Sequence, residues 1–183
     1  MPGSVFIDGD AVSLRTVEEE DVEFLQEQVN DPRIRRPIGR SRPLNGPQER
    51  EFFEDVVCAD GTVHLLVVAG GEPVGMVGLD PIDWVARRAE VGYWIAPDAH
   101  AQGYGTEAVA LFVDYAFDQL GLHRIAARVF AFNEPSVRLL ERIGFTREGT
   151  HRDDVFVDGA YHDTHWYGLL EREWRAGERE SVA

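Results

Sequence analysis

Residues His100 to Glu107 read His-Ala-Gln-Gly-Tyr-Gly-Thr-Glu, between an apolar run expected as a strand, Ala89–Ile95, and an amphipathic stretch expected as a helix, Tyr104–Leu120. Pro97 stops the strand. Gly103 and Gly105 allow a tight backbone turn that residues with a Cβ resist. The first N–H groups of the following helix have no carbonyl partners within it. Together with the helix dipole they form a site for phosphate oxygens. On two glycines alone, a plain strand-to-helix turn reads as well as a phosphate cradle, because a short glycine pattern is weak. The rest of the chain decides between them.

On the N-terminal side, Val5–Ile7 and Val12–Leu14 flank Asp8-Gly9-Asp10 and predict a small hairpin. Thr16 with Glu19 resembles a capping box opening a helix to about Asn30, with Val22, Leu25 and Val29 on one face. Asp31-Pro32 ends it. The segment from Arg33 to Pro47 carries five arginines and three prolines and reads as an ordered loop. Asn45, Pro47 and Gln48 start a second helix to about Val57. His64–Val68 and Val74–Leu79 then form a hairpin across Ala-Gly-Gly-Glu.

Beyond the loop and its helix, whose expected inner residues are Ala108, Leu111, Val113, Tyr115 and Ala116, Ile125–Phe130 is a strand. Ser136–Ile143 is a helix ended by Gly144. Thr146–Arg152 and Tyr161–Leu169 form a hairpin across Asp158-Gly159, and the charged tail from about Arg175 is expected to fray. No repeat or linker interrupts the pattern. Residues 1–183 therefore read as one α/β (α+β) domain with a core over about 12–174.

The chain has 183 residues, 44% hydrophobic and 28% charged, as in an ordinary soluble domain. No apolar run approaches the roughly 20 residues of a membrane span, and the N-terminus lacks a signal-peptide pattern. A lone cysteine, Cys58, fits a reducing cytoplasm and reads as filler at a helix end rather than as a nucleophile. Net charge is −15 and all 18 basic residues are arginine. That balance argues against nucleic-acid binding. It fits a salt-rich cytoplasm, where a screening length of about 3 Å at 1 M salt makes acidic surface tolerable. An arginine-favouring genome encoding an ordinary acidic protein fits as well.

Four stretches have a combined order and spacing that resembles the GNAT superfamily of acetyl-CoA-dependent N-acetyltransferases, of the RimJ/RimL type. They are Leu14-Arg15 with Asp21; Ala89 to Ile95 running through Pro97 to Gly103–Ala108; Asn133-x-x-Ser136 continuing through Leu139 to Phe145; and Asp158 to Asp163 followed by Tyr167 to Leu170 and Glu173-Trp174. The resemblance implies a GNAT fold: a mixed, mostly antiparallel, splayed sheet of six to seven strands with about four helices. It also implies acetyl-CoA as co-substrate, held by Trp94, Ile95, His100, Ala101, Gln102, Gly103, Tyr104, Gly105, Thr106, Asn133 and Ser136. The glycine loop would take the pyrophosphate on backbone amides, with His100 standing where the family has Arg or Gln. Pantetheine would add to the strand edge near Trp94 and Ile95.

Acetyl transfer needs a deprotonated amine, a stabilised oxyanion and a leaving thiolate. The resemblance makes Glu90 the candidate general base, directly or through water. A carboxylate paired with Arg87 or Arg88 is the plainer alternative. The tyrosine that many family members place on the helix after Asn133 is Leu140 here; the RimJ/RimL resemblance implies instead a serine near the helix start close to the thiol, a position held by Ser136, for which a helix cap is the plainer reading. Trp84, Asp153, Asp154 and Tyr161 are candidates to contact the amine acceptor, a peptide N-terminus or a small amine such as a polyamine or aminoglycoside. His162 and His165 fall on opposite faces of one strand, so no metal site is expected. Homodimers are common in the family. A catalytically weak acyl-CoA sensor of the same fold is the rival function; a dinucleotide oxidoreductase would need the glycine loop on an early βαβ unit.

Overall fold

Alternating apolar runs pair into one eight-stranded sheet in the order β1-β2-β3-β4-β5-β6-β8-β7. The structure is a computed structural model describing residues 2–181, with side chains described to residue 177. The strands are β1 (Val5–Asp8), β2 (Ser13–Thr16), β3 (Val63–Ala69), β4 (Glu72–Asp83), β5 (Arg88–Ile95), β6 (Arg124–Phe130), β7 (Thr146–Val157) and β8 (Ala160–Leu170). The helices are α1 (Val22–Asn30), α2 (Pro32–Arg35), α3 (Gly46–Phe52, continued as a π turn to Val57), α4 (Tyr104–Asp118), α5 (Glu134–Ile143) and α6 (Glu171–Ser181). Among the described residues, eight strands and six helices exceed the numbers expected, because the β1–β2 hairpin joins the sheet through β3 and two further helices form.

Both extra helices have local causes. Asp31 caps α2 by accepting from Arg33 N at 2.7 Å, turning part of the expected arginine loop into one helical turn. The tail is helical rather than frayed: Trp174 Nε1 donates to Asp114 of α4 at 3.0 Å, and Arg175 bridges Asp118 and Glu171. Residues 182 and 183 lie outside the described residues. The first cap also moves. Thr16 still pairs in β2 with Leu65, so Asp21 instead accepts from Glu18 N at 2.9 Å. At the β7–β8 turn, Asp158 and Gly159 both take positive φ, 51° and 85°, the backbone demanded by a tight hairpin.

Two apolar layers sandwich the sheet. On one face Ala89 and Val91 of β5 and Ile125, Ala127 and Val129 of β6 pack with α4 and with Leu140 of α5. On the other, Leu66, Val68 and Trp94 pack with Leu25, Val29 and Ile34. On α4 the fully buried row is Val109, Phe112, Val113, Ala116 and Phe117, together with Ala108, whereas Leu111 and Tyr115 sit at its border. Among the described residues no helix is long and apolar enough to cross a membrane.

Phe112 is completely buried and anchors α4, so Phe112→Ala should lower the unfolding free energy by about 3–5 kcal/mol. Val85, 97% exposed, should tolerate alanine within about 0.5 kcal/mol. Urea denaturation of the two variants checks this contrast.

Candidate active site

β5 is paired on both sides only at its beginning. Its antiparallel ladder with β4 runs to Ile95, but its parallel ladder with β6 holds only Arg88–Arg124, Ala89–Ile125 and Glu90–Ala126. A bulge in β4 between Leu79 and Ile82 lies opposite Glu90, and bulges bend a strand and raise its twist. Beyond Glu90, β5 stays with β4 while β6 stays with β8, and a slot opens between them. Because the two strands are parallel, both run toward the open end of the slot. Each feeds a helix there: β5 leads to α4 and β6 to α5. Two helix N-termini thus bring their positive dipole ends to one crevice at strand C-termini.

The connection from β5 to α4 is built for that position. Ala101 and Gly103 adopt left-handed φ of 61° and 85°. A Cβ on Gly103 would meet nothing within 4 Å, so glycine there serves the backbone conformation. At Gly105 a Cβ would stand 3.2 Å from both Ile95 and Leu139, so glycine there lets α4, β5 and α5 close together. Asn45 caps α3 and Asn133 caps α5, but no side chain caps α4. The N–H groups at Tyr104, Gly105 and Thr106 are therefore free of a side-chain cap, beside the exposed Ala101 and Gln102. An elongated ligand with phosphates fits an uncapped helix start next to an open strand edge.

The edge itself is selective. The Trp94 carbonyl lies against Gly75 of β4, and Ala96 N donates to Val74 O, so the peptide groups of these alternate residues face β4. Those of Tyr93 and Ile95 face the slot. The Ile95 carbonyl already has the His100 ring, with Nε2 at 2.7 Å. His100 thus braces the loop on its own strand. Trp94, expected at the cofactor, is turned away in backbone and side chain; its ring is buried beside Phe24. Tyr93 takes its place at the edge.

Alternation along β5 divides the side chains between the two faces. Glu90 lies on the α1–α3 face, where its Oε1 accepts from Arg128 Nε at 2.6 Å. The partner is Arg128 of β6, not Arg87 or Arg88, which bond Gly121 O and Asp83. The Arg128 guanidinium also lies 5.4 Å from the centre of the Trp166 ring. On the opposite face Tyr93 Oη stands 2.7 Å from Ser136 Oγ. Asn133 accepts from Ser136 N at 3.4 Å, so Ser136 sits in the capped first turn of α5. Leu140, where a helix tyrosine would fall, is core at 1% exposure. Burial pushes the Tyr93 phenol above its ordinary value. Sequence reading did not single out Tyr93; its place two residues from Val91 on an inward-facing row was the available signal.

The four expected acceptor contacts are not brought together. Trp84 lies half exposed in the β4–β5 turn, Asp153 donates its N–H to Asp163, Asp154 stands 3.9 Å from His151, and the exposed Tyr161 ring meets Phe156. An open cleft of about 420 Å³ lies instead between α2 and the β7–β8 turn. Its walls include Arg33, Arg36, Phe132, Asp158 and His162. Arg36 pairs with Asp158 at 3.0 Å and Arg33 reaches Asp98 at 3.6 Å, so α2 bridges the hairpin and the glycine loop. His162 packs on Phe132, whereas His165 bonds Thr150. Among the described residues no three His, Cys, Asp or Glu side chains are grouped to hold a metal. Cys58 is exposed at the end of the π turn.

Comparison with known proteins agrees with this geometry. Residues 12–146 match the model of the acetyltransferase (GNAT) domain. YdaF of Bacillus subtilis (strain 168), provisionally named a ribosomal N-acetyltransferase, is 33% identical over 178 residues, spanning 92% of this chain and 95% of its own. Spermidine N(1)-acetyltransferase of Escherichia coli (strain K12) is 30% identical over 167 residues, 91% of this chain and 89% of its own. The crystal structure of spermidine N-acetyltransferase from Vibrio cholerae, in complex with CoA and spermine, superposes with a TM-score of 0.86 at 24% identity, covering 91% of this chain and 99% of that one, a likeness of fold. With its split sheet, uncapped glycine turn and family match over most of its length, the chain belongs to the GNAT acetyltransferase family, the N-acetyltransferases that take their acetyl group from acetyl-CoA.

Proposed function

We propose that residues 1–183 act as one domain that binds acetyl-CoA in the β5–β6 slot and passes its acetyl group directly to a primary amine. The observation that carries this reading is the end of β5–β6 pairing at Glu90, beside an α4 start that no side chain caps. Bound acetyl-CoA supplies an activated thioester carbonyl; everything else falls to the chain. The Ala101–Thr106 turn donates amides to the pyrophosphate, and the N–H and C=O of Tyr93 with the N–H of Ile95 hydrogen-bond the pantetheine arm in the manner of strand addition. Asn133 holds the α5 turn that carries Ser136.

Glu90 stands on the face opposite Ser136, so the amine enters from the α2 side and the sulfur departs toward α5. Glu90 accepts the amine's proton, directly or through a water, as the C–N bond forms and the C–S bond breaks. Its Oε1 is taken by Arg128, which leaves Oε2 for that proton. Ser136 Oγ donates a hydrogen bond to the departing sulfur. A coenzyme thiol of ordinary pKa about 8.5 can leave as thiolate near neutral pH, so full protonation by Ser136 is not required.

We place the chain in the RimJ/RimL branch on its Ala89–Ala108 and Asn133–Phe145 motifs, as a cytoplasmic protein, with homodimerisation resting on the resemblance alone. Acceptors of two kinds, peptide α-amines and small amines such as polyamines, follow the names of its relatives. Leu140 favours one rival, an acyl-CoA sensor without turnover, and thiol release against a panel of peptides and amines in low and high salt decides between them.

CoA should bind at least about tenfold more tightly than pantetheine, which lacks the pyrophosphate, and Gly103→Val should erase most of that difference by calorimetry. Equal affinities would overturn the cradle. Glu90→Gln should lower kcat/KM by about 100-fold or more and flatten the acid limb of its pH profile, against less than about tenfold for Arg128→Gln. Equal losses would make Glu90 an ion-pair partner only.

A further inference from the structure

The Tyr93–Ser136 contact carries a role that the transfer reading leaves unassigned. At 2.7 Å the two hydroxyl oxygens are at the ordinary separation of an O–H···O bond, whereas the Ser136 carbonyl is 3.5 Å from Tyr93 Oη, the outer limit. One hydroxyl must donate. Either oxygen is placed to donate; a phenol is by its chemistry the stronger acid of the two, and Tyr93 Oη also faces the Ser136 carbonyl, so we assign the shared hydrogen to Tyr93. Ser136 then accepts through one lone pair and keeps its own hydrogen, which bonds no other acceptor among the described residues. Directed away from Tyr93, that hydrogen would face the slot at which α5 begins.

We propose that Tyr93 is a positioning residue for the acetyl transfer: it holds Ser136 Oγ as an acceptor from the strand side, and so aims the serine O–H at the departing sulfur. The inference rests on the reading of Ser136 given above. It accounts for Leu140, since a phenol from β5 serves the first turn of α5 without a tyrosine further along that helix. It also decides against Tyr93 as the acid. Burial raises its phenol further above a thiol of about 8.5, so passing the proton on would leave a buried phenolate beside a weaker base. The proton remains on Tyr93 throughout and no bond to it is made or broken. Tyr93 also lends its backbone to the slot, so the same residue that faces the pantetheine arm fixes the hydroxyl at its end.

A double-mutant cycle on the full chain tests this, using Tyr93→Phe, Ser136→Ala and the pair, with kcat, KM for acetyl-CoA, CoA affinity and thermal midpoint measured for each. Tyr93→Phe should lower kcat by about three- to tenfold, the range of one hydrogen bond, with KM and CoA affinity within about twofold. Ser136→Ala should lower kcat at least as much, and the double variant should be no slower than Ser136→Ala alone. Multiplying losses would overturn the coupling. So would a Tyr93→Phe effect confined to KM or to the thermal midpoint, which a packing role would give. Full turnover by Ser136→Ala would sink the Ser136 reading and this inference with it. A slowed Ser136→Ala beside an unaffected Tyr93→Phe would sink this inference alone.

Discussion

The early end of the β5–β6 ladder is the constraint on which the rest of the molecule depends. A sheet that stayed paired beyond Glu90 would satisfy more backbone groups, and buried backbone groups are almost always satisfied. Here the cost is met in three ways. β4 holds one edge of β5 as far as Ile95, β8 holds one edge of β6 as far as Phe130, and His100 takes the Ile95 carbonyl. What remains open is a short stretch of strand edge whose donors and acceptors await a ligand. The parallel crossover through α4 matters as much. It places two helix starts at the same end of the opening, something an antiparallel hairpin would not do. The slot therefore has amides at one end, strand edge along its length, and access from both faces of the sheet.

Access from both faces is what separates the chemical roles. Because successive side chains of a strand point to opposite faces, Glu90 and Tyr93, three residues apart, address opposite sides of the sheet. A carboxylate on one side and a hydroxyl pair on the other would suit a reaction in which the incoming nucleophile and the leaving group meet the carbonyl carbon from different sides. The ion pair with Arg128 adds a second consequence. Arg128 spans Glu90 and the Trp166 ring, so it ties β5, β6 and β8 together on the face of α1 at the level where the slot begins. Such an exposed pair contributes little to stability. Its use is to fix the direction of the carboxylate.

Much of the fold was legible from residue order. The eight strands and four longer helices follow from alternation, caps and turn residues, and their ends shifted by only a few residues. Misreadings came where tertiary partners decide. Nothing local in Trp174 and Arg175 shows that Asp114 and Asp118, some sixty positions earlier, will hold α6 in place. Thr16 looked like a cap because strand pairing with β3 is invisible in a local pattern. The site divided in the same way. The glycine turn, Glu90 and Ser136 could be picked out through motif resemblance, but Arg128 as the partner of Glu90, and Tyr93 as that of Ser136, are pairings across the slot. They require knowing where the ladder stops, which depends on a bulge in β4 rather than on β5 or β6.

Charge remains the sharpest opposition in the molecule, since a chain of net charge −15 is read as binding a polyanion. Distance resolves it. At physiological ionic strength the screening length is about 8 Å, so most of the surface carboxylates are not felt within the glycine turn, and in stronger salt still fewer are. The α4 start would act at contact range, equivalent to about half a positive charge, through amides that no side chain among the described residues caps. Of the carboxylates beside the turn, Glu107 accepts from Ala11 N and Val12 N, and Asp98 lies 3.6 Å from Arg33. A cradle made of backbone rather than lysine is consistent with a chain that has no lysine at all, and it makes phosphate affinity depend on φ angles at Ala101 and Gly103 more than on the composition of the surface.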